Sequence, residues 1–183
     1  MSQNAPPTLQ GERLLLRRLT LRDMDTVYAY GSDPEATRLV DWPRHERRAD
    51  AEAFINQTVQ EWSQGTQFTW GMERREDQCL LGAISCTAIS HRTSIGYVLA
   101  QRFWGQGFAT EAARLLVEWL SSSGGVIRVW ATCDVENAAS ARVLEKAGMQ
   151  REGILRAWNR PPNLPGTPPR DAYVYALINP VVD

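Results

Sequence analysis

The chain has 183 residues, of which 43% are hydrophobic and 22% charged, and its formal net charge at pH 7 is -1. This length is typical of one domain with a sizeable core. Because the charges nearly cancel, the composition indicates no general attraction to nucleic acid. No apolar run approaches the roughly 18 residues that a membrane-spanning helix needs. We therefore expect neither a nucleic-acid nor a membrane partner.

We expect a single domain over residues 9–183, preceded by a short flexible lead over residues 1–8. The lead ends in Ala-Pro-Pro-Thr and lacks the basic and then apolar pattern of a secretion signal. The chain contains three cysteines, Cys79, Cys86 and Cys133. An odd number of cysteines without metal-ligand spacing predicts reduced thiols in a cytoplasmic protein that binds no metal.

The hydrophobic patterns predict strands alternating with helices, an order typical of an α/β or α+β domain with a central sheet. The predicted strands cover residues 13–18, 68–74, 80–87, 93–99, 127–133, about 150–158 and 172–178. The predicted helices cover about residues 21–32, 49–63, 110–122 and 137–147. A proline-rich segment at residues 160–169 cannot continue a strand and is predicted to be a loop.

A glycine-containing loop, Trp-Gly-Gln-Gly-Phe-Ala-Thr, runs from Trp104 to Thr110 before the third predicted helix. Gly105, Gly107 and Ala109 allow the backbone to approach a ligand closely, and the first N–H groups of the helix have no intrahelical acceptors. These donors and the helix dipole favour an anion, so we interpret the loop as a phosphate site. Neither the dinucleotide fingerprint nor the P-loop pattern fits it. A plain strand-to-helix turn is the alternative interpretation.

The fourth predicted helix carries two polar residues on its inward side. Asn137 is a favourable N-cap residue, and Gly148 suits the left-handed position that ends a helix. Ser140 shares the inward stripe with Val143 and Leu144, and Asn137 lies one turn before it. Asn137 could be only a helix cap, and Ser140 only a small residue that packs well. Both side chains, however, also point to where a ligand could be bound.

Together these motifs resemble the GNAT superfamily of acyl-CoA-dependent N-acetyltransferases, and within it the RimJ/RimL-like type that acetylates protein N-termini. The resemblance spans residues 9–178 and includes residues 11–18, 81–84 and 95–97, the glycine loop, and Asn137-x-x-Ser140. The superfamily loop is often written Q/R-x-x-G-x-G/A. Here its first position is Trp104, a departure that is common in the RimJ/RimL-like branch.

The resemblance implies a mixed, mostly antiparallel sheet of about seven strands flanked by about four helices. In such a sheet the strands at residues 93–99 and 127–133 splay apart, and the pantetheine arm of acetyl-CoA pairs with the first of them. The implied cofactor-binding residues are Tyr97, Val98, Leu99, Trp104, Gly105, Gln106, Gly107, Phe108, Ala109, Thr110, Asn137 and Ser140. The implied donor cosubstrate is acetyl-CoA, without a metal.

The resemblance also implies direct attack of an amine on the thioester in a ternary complex. Such a transfer needs a neutral amine, a donor for the developing oxyanion, and a proton or hydrogen bond for the departing thiolate. We assign the oxyanion donor to the backbone N–H of Val98 or Leu99. Ser140 is the candidate donor to the thiolate.

No general base is evident from the sequence. Glu73, on a predicted central strand, is the first candidate, and Asp134 and Glu136 are alternatives. Each is also explained as a surface carboxylate. Because a protein α-amine has a pKa of about 8, whereas that of a lysine is about 10.4, an N-terminal acceptor does not require a strong base.

The sequence indicates the acceptor only weakly. Trp42 and Pro43 lie in the helix-to-helix loop that borders the acceptor site in similar proteins, and we group Tyr175 with them as an acceptor-binding residue. A protein N-terminus is the first candidate acceptor, and a small-molecule amine such as an antibiotic or polyamine is the second. A non-catalytic acyl-CoA-binding module is a third interpretation, and both a monomer and a homodimer are compatible with the sequence.

Overall fold

Eight strands form one sheet in the computed structural model, which describes residues 5–87 and 91–179. The strands are β1 (Thr8–Gln10), β2 (Leu14–Arg18), β3 (Gln67–Arg74), β4 (Cys79–Thr87), β5 (Arg92–Leu99), β6 (Arg128–Asp134), β7 (Gln150–Asn159) and β8 (Arg170–Ile178). The α-helices are α1 (Met24–Gly31), α2 (Arg48–Gln64), α3 (Phe108–Ser122) and α4 (Ala138–Lys146). In space the strands follow the order β1-β2-β3-β4-β5-β6-β8-β7.

The predicted fold class is confirmed, with one additional strand. Every strand pair is antiparallel except the parallel pair of β5 and β6. The additional strand is β1, in which Thr8 pairs with Arg17 of β2. Ala5 is buried in the core, and the Pro6 carbonyl accepts a hydrogen bond from the indole of Trp70 at 3.1 Å. Residues 5–8, which we expected in a flexible lead, therefore pack on the sheet, and the rest of that lead lies outside the described residues.

The helices cover both faces of the sheet. Helices α3 and α4 pack on one face, here called the α3/α4 face, through a core that includes Leu116 and Leu144. Helices α1 and α2 pack on the other, the α1/α2 face, through a smaller core that includes Val27 and Ile55. In the part of the chain that the structure describes, none of the helices is long and apolar enough to cross a membrane.

Strands β5 and β6 separate along their length, as the resemblance implied. They pair only where residues 92–94 lie beside residues 128–130, although β5 continues to Leu99 and β6 to Asp134. Strand β4 holds the other edge of β5, and β8 holds the other edge of β6. The two strands therefore leave a gap in the middle of the sheet, here called the β5–β6 opening, along which part of the β5 backbone has no partner strand.

Candidate active site

The loop before α3 has the backbone geometry of an anion site. Gly105 and Gly107 have φ angles of +74° and +84°, in the left-handed region that favours glycine. Gly107 caps α3, which begins at Phe108, two residues before the predicted start. The first intrahelical bond runs from Glu111 N to Gly107 O at 3.0 Å. The N–H groups of residues 108–110 therefore have no intrahelical acceptor and can bind an anion.

Three side chains of this loop hold its backbone in place. Trp104 donates its indole Nε1–H to the Leu99 carbonyl at 2.8 Å, although its side chain is 45% exposed. Gln106 donates its side-chain amide to the Arg102 carbonyl at 2.9 Å. Phe108 is buried in the core. The side chains thus fix the loop, while Ala109 and Thr110 in the first turn of α3 remain half-buried.

The N-terminal strands are tied to the same loop through Glu111. Its carboxylate accepts hydrogen bonds from the Arg13 and Leu14 backbone N–H groups at 2.8 and 3.0 Å, and from Arg13 Nε at 2.9 Å. Arg13 also donates to the Gln106 carbonyl at 3.0 Å, and its guanidinium lies 4.6 Å from the centroid of the Phe108 ring. Sequence analysis missed this contact, because Arg13 and Glu111 are 98 positions apart.

Two hydroxyl groups meet on the α3/α4 face of the opening. The Tyr97 hydroxyl on β5 lies 2.7 Å from the Ser140 Oγ in the first turn of α4. Ser140 donates its backbone N–H to the Asn137 Oδ1 at 3.0 Å, which confirms Asn137 as the N-cap. Burial raises the pKa of the Tyr97 phenol, so this hydroxyl stays protonated at neutral pH. The sequence indicated both residues but not their contact.

Cys133 lies beside Ser140, and Tyr175 is buried on the same face of the sheet. Burial raises the pKa of the Cys133 thiol to about 11, which keeps it protonated at neutral pH, and a hydrogen bond with Ser140 opposes part of that rise. Tyr175 is fully buried and donates its hydroxyl to the Glu145 Oε1 of α4 at 3.0 Å. The structure therefore does not bring Tyr175 together with Trp42, with which we had grouped it.

The register of β4 and β5 decides which backbone groups of β5 face the opening. Ala100 donates its N–H to the Leu81 carbonyl at 2.9 Å and so bonds towards β4. Backbone groups of adjacent residues in a strand point to opposite sides, so those of Leu99 point away from β4. The Leu99 carbonyl accordingly accepts from Trp104. Of the two predicted oxyanion donors, Leu99 rather than Val98 has its N–H directed towards the opening.

All three candidate bases are ion-paired. Glu73 lies on β3, two strands from β5, and accepts from Arg17 Nε at 2.5 Å. The Asp134 side chain is 0% exposed, and Arg170 donates to both of its oxygens at 2.5 and 2.9 Å and to Glu136 at 2.7 Å. Burial would raise the pKa of Asp134, but the hydrogen bonds from Arg170 and from the Glu136 backbone hold it below the ordinary value. These carboxylates are therefore engaged in structural pairs.

The α1/α2 face of the opening is left open by the helices. Gly96 is exposed, and the neighbouring residues of β5 and β6 on this face are half-buried, namely Ser94, Val98, Trp130 and Thr132. Trp42 and Pro43 lie in the α1–α2 connection, residues 32–47, where the Trp42 ring centroid is 5.5 Å from that of His45. The charge of Arg38 in this connection is one of the smaller causes that lower the pKa of Asp134.

Comparison with known families identifies the chain. The family model described as acetyltransferase (GNAT) domain matches residues 13–150. This chain belongs to the GNAT acetyltransferases. The uncharacterized N-acetyltransferase YoaA of Bacillus subtilis (strain 168) is 33% identical to it over 177 residues, covering 95% of this chain and 98% of that protein. The predicted enzyme class, an acyltransferase, is confirmed.

Solved structures confirm the fold of this GNAT acetyltransferase. The microcin C7 self-immunity acetyltransferase MccE, in complex with acetyl-CoA and AMP, has a TM-score of 0.83 at 20% identity, covering 96% of this chain and 98% of that one. The ribosomal L7/L12 alpha-N-protein acetyltransferase RimL, in complex with coenzyme A, has a TM-score of 0.82 at 19% identity, covering 94% and 98%. RimJ/RimL-like proteins are thus among its structural neighbours.

The arrangement fits acetyl-CoA, the donor that GNAT enzymes use. The N–H groups at the start of α3 suit a pyrophosphate, and a Cβ added at Gly105 would meet no atom within 4 Å, so the space above this part of the loop is free. The unpaired β5 backbone suits the amides of a pantetheine arm. The Tyr97 and Ser140 hydroxyls supply protonated donors deeper in the opening.

Proposed function

We propose that this GNAT acetyltransferase binds acetyl-CoA on the α3/α4 face of the β5–β6 opening. The acetyl group then passes to the free α-amine of a protein N-terminus that approaches from the α1/α2 face. The N–H groups of residues 108–110 bind the pyrophosphate. The side-chain oxygen of Asn137 is used by the helix cap, so its side-chain nitrogen Nδ2 contacts the pantetheine arm. Three reduced cysteines support a cytoplasmic location for the reaction.

The assignment of the acceptor rests on the ion pairs of the three candidate bases. At pH 7.5 about a third of an α-amine population is already neutral, whereas only about one lysine in a thousand is. A site whose carboxylates are held by arginines deprotonates a lysine poorly but can use an α-amine with little help. The pairing of Glu73 with Arg17, and of Asp134 and Glu136 with Arg170, therefore favours an N-terminal acceptor.

Each step of the transfer has a candidate group in this chain. When bound, acetyl-CoA supplies the thioester that the amine attacks. The Leu99 N–H is directed to stabilise the negative charge that develops on the carbonyl oxygen. As the C–N bond forms and the C–S bond breaks, Ser140, polarised by the Tyr97 hydroxyl 2.7 Å away, donates a hydrogen bond to the departing sulfur. The proton that the amine loses on becoming an amide ends on this thiolate, so both hydroxyls are unchanged after the transfer. Burial keeps that phenol protonated, so the donor is present throughout the neutral range of pH.

A calorimetric titration with acetyl-CoA, with ATP and NAD under the same salt conditions, tests the donor. We expect saturable binding of acetyl-CoA alone. Binding of only ATP or NAD, or of none of the three, would contradict the proposed cofactor site.

An amine screen then tests the acceptor. The probes are a peptide with a free N-terminus and one internal lysine, the same peptide with its N-terminus acetylated, and spermidine. We expect acetylation of the first peptide at its α-amine only, located by mass spectrometry. Acetylation of spermidine alone would indicate a small-molecule enzyme, and binding of acetyl-CoA without turnover of any amine tested would favour a non-catalytic module.

A further inference from the structure

A single side chain, Asn163, joins the two loops that border the open α1/α2 face. It lies in the β7–β8 loop, residues 160–169, and its Nδ2 donates to the carbonyls of Thr37 and Trp42 at 2.7 and 3.0 Å. Its Oδ1 accepts the Arg44 backbone N–H at 2.8 Å. All three partners belong to the α1–α2 connection, so one amide group satisfies three backbone groups of the opposite loop.

These contacts fix a segment that has little regular structure of its own. The α1–α2 connection contains no strand and is anchored elsewhere mainly at its end, where the His45 N–H donates to the Gly31 carbonyl at 2.9 Å. Thr37 is fully buried, and its carbonyl accepts from Asn163 at 2.7 Å and from the Val40 N–H at the longer distance of 3.4 Å. Without Asn163, residues 37–44 would lose these three hydrogen bonds to the β7–β8 loop.

The clamped segment lies beside the reaction site rather than at a remote surface. The β7–β8 loop is followed directly by Arg170, which pairs with Asp134 at the end of β6. Through Asn163 the same loop is bonded to the α1–α2 connection, so the two joined loops lie next to the point where β6 has diverged from β5. Because acetyl-CoA is assigned to the α3/α4 face, an amine has to reach the thioester past this pair of loops.

We propose that Asn163 is a positioning residue for the acceptor: it holds the α1–α2 connection and the β7–β8 loop in the spacing that admits and orients the amine substrate. This inference rests on the proposed function, because it assumes that an amine enters from the α1/α2 face. It also explains the choice of residue type. Asparagine offers a donor and an acceptor on one short side chain, whereas aspartate would place a carboxylate against the Thr37 and Trp42 carbonyls.

The test compares Asn163→Ala and Asn163→Asp with the wild type in steady-state kinetics. The acceptor is the free N-terminal peptide or spermidine, whichever of the two the wild type acetylates. We expect KM for the amine to rise about tenfold, the effect of losing roughly one to three hydrogen bonds that order the loop. KM and Kd for acetyl-CoA should stay within about twofold of the wild type, because no cofactor group contacts this loop in the proposed site.

Asn179→Ala provides the matched control. Asn179 also uses a side-chain amide to hold a backbone carbonyl, that of Val126 at 2.8 Å, at the far end of the sheet. This variant should lose stability without a change in KM for the amine. An equal rise in that KM in the Asn163 and Asn179 variants would reduce the role of Asn163 to general stability and overturn the inference.

Hydrogen exchange provides a readout that does not depend on turnover. The Arg44 N–H donates a hydrogen bond to Asn163, so its proton should exchange faster in Asn163→Ala. Other amide protons of residues 37–44 should exchange faster as well. Faster exchange with an unchanged KM for the amine would show that the clamp does not position the acceptor. Failure of the proposed function would look different, because the wild type itself would then acetylate spermidine alone or neither probe.

Discussion

The two faces of the β5–β6 opening are built by different means. On the α3/α4 face, the glycine loop and the α4 cap each lie within a few consecutive residues and use mostly backbone groups. On the α1/α2 face, the contacts join distant parts of the chain: Asn163 and Trp42 are 121 positions apart. Under the proposed assignment, the acetyl-CoA site is thus made from local backbone geometry. The proposed acceptor face depends on long-range side-chain contacts, which can change while the fold is kept.

The largest expected effect comes from filling the glycine loop on the α3/α4 face. Gly107→Trp should abolish acetyl-CoA binding in calorimetry, because an indole would occupy the space in front of the N–H groups of α3. Its left-handed φ of +84° adds backbone strain of about 1–2 kcal/mol. Gly125→Trp is the control for the backbone strain, since Gly125 has a φ of +82°; a Cβ there would meet no atom within 4 Å, whereas one at Gly107 would lie 3.3 Å from Arg13 Nη2. Unchanged affinity in Gly107→Trp, or equal loss in both variants, would refute the assigned loop.

The second effect concerns the ion pair at the end of β6. Arg170→Ala leaves the fully buried Asp134 carboxylate without its main partner and should lower the free energy of unfolding by about 3 kcal/mol. Urea unfolding measures the change. Arg74→Ala, which removes an exposed pair with Asp77 in the β3–β4 turn, is the control and should have a much smaller effect. Similar losses in both variants would show that burial of Asp134 contributes little.

The same pair predicts a dependence of stability on pH. Because the folded pKa of Asp134 lies below its ordinary value, its contribution is fully present above that value and is lost as pH falls through the folded pKa. The stability difference between the wild type and Asp134→Asn should therefore be largest near neutral pH and shrink below about pH 4. A difference that stays constant from neutral pH to about pH 2.5 would mean that this carboxylate is not the titrating group.

The smallest expected effect concerns the two hydroxyl groups on the α3/α4 face of the opening. Ser140→Ala and Tyr97→Phe should each lower kcat about tenfold with little change in Kd for acetyl-CoA, because the first removes the donor to the departing thiolate and the second removes the hydroxyl that polarises that donor. Since the hydroxyls are 2.7 Å apart, the double variant should lose less than the product of the single effects. Equal losses in kcat and in cofactor affinity would instead make Ser140 a binding contact.

What could be predicted from the sequence follows the same division. Asn137 was recognised as an N-cap and Gly107 as part of the loop that opens a helix, because each signal lies within a few residues of the group it serves. Anion binding by this loop stays a prediction. The side of the sheet on which the Tyr175 side chain lies could not be predicted from the sequence. It depends on the register of β8 against β6, in which Tyr175 pairs with Ala131, and a shift of one residue would reverse the side to which it points.

The contacts that border the acceptor face had no sequence signal at all. Asn163 lies in a proline-rich loop without periodicity, and its partners are backbone groups, so neither its spacing nor the residue types around it indicate a contact. Strand β1 escaped detection for a related reason, since three residues are too few to show an alternating pattern. Short segments and long-range backbone contacts are decided by tertiary packing, which no local pattern records.

The carboxylate of Glu111 links two parts of the chain that are 97 and 98 positions apart. By accepting hydrogen bonds from Arg13 and Leu14, it ties the start of β2 to the loop before α3, and we expect these parts to open together in hydrogen exchange. A ligand that binds the loop as proposed would then stabilise β2 as well, by mass action. Conversely, a fusion tag or truncation that loosens β2 should weaken acetyl-CoA binding without touching any residue of the loop.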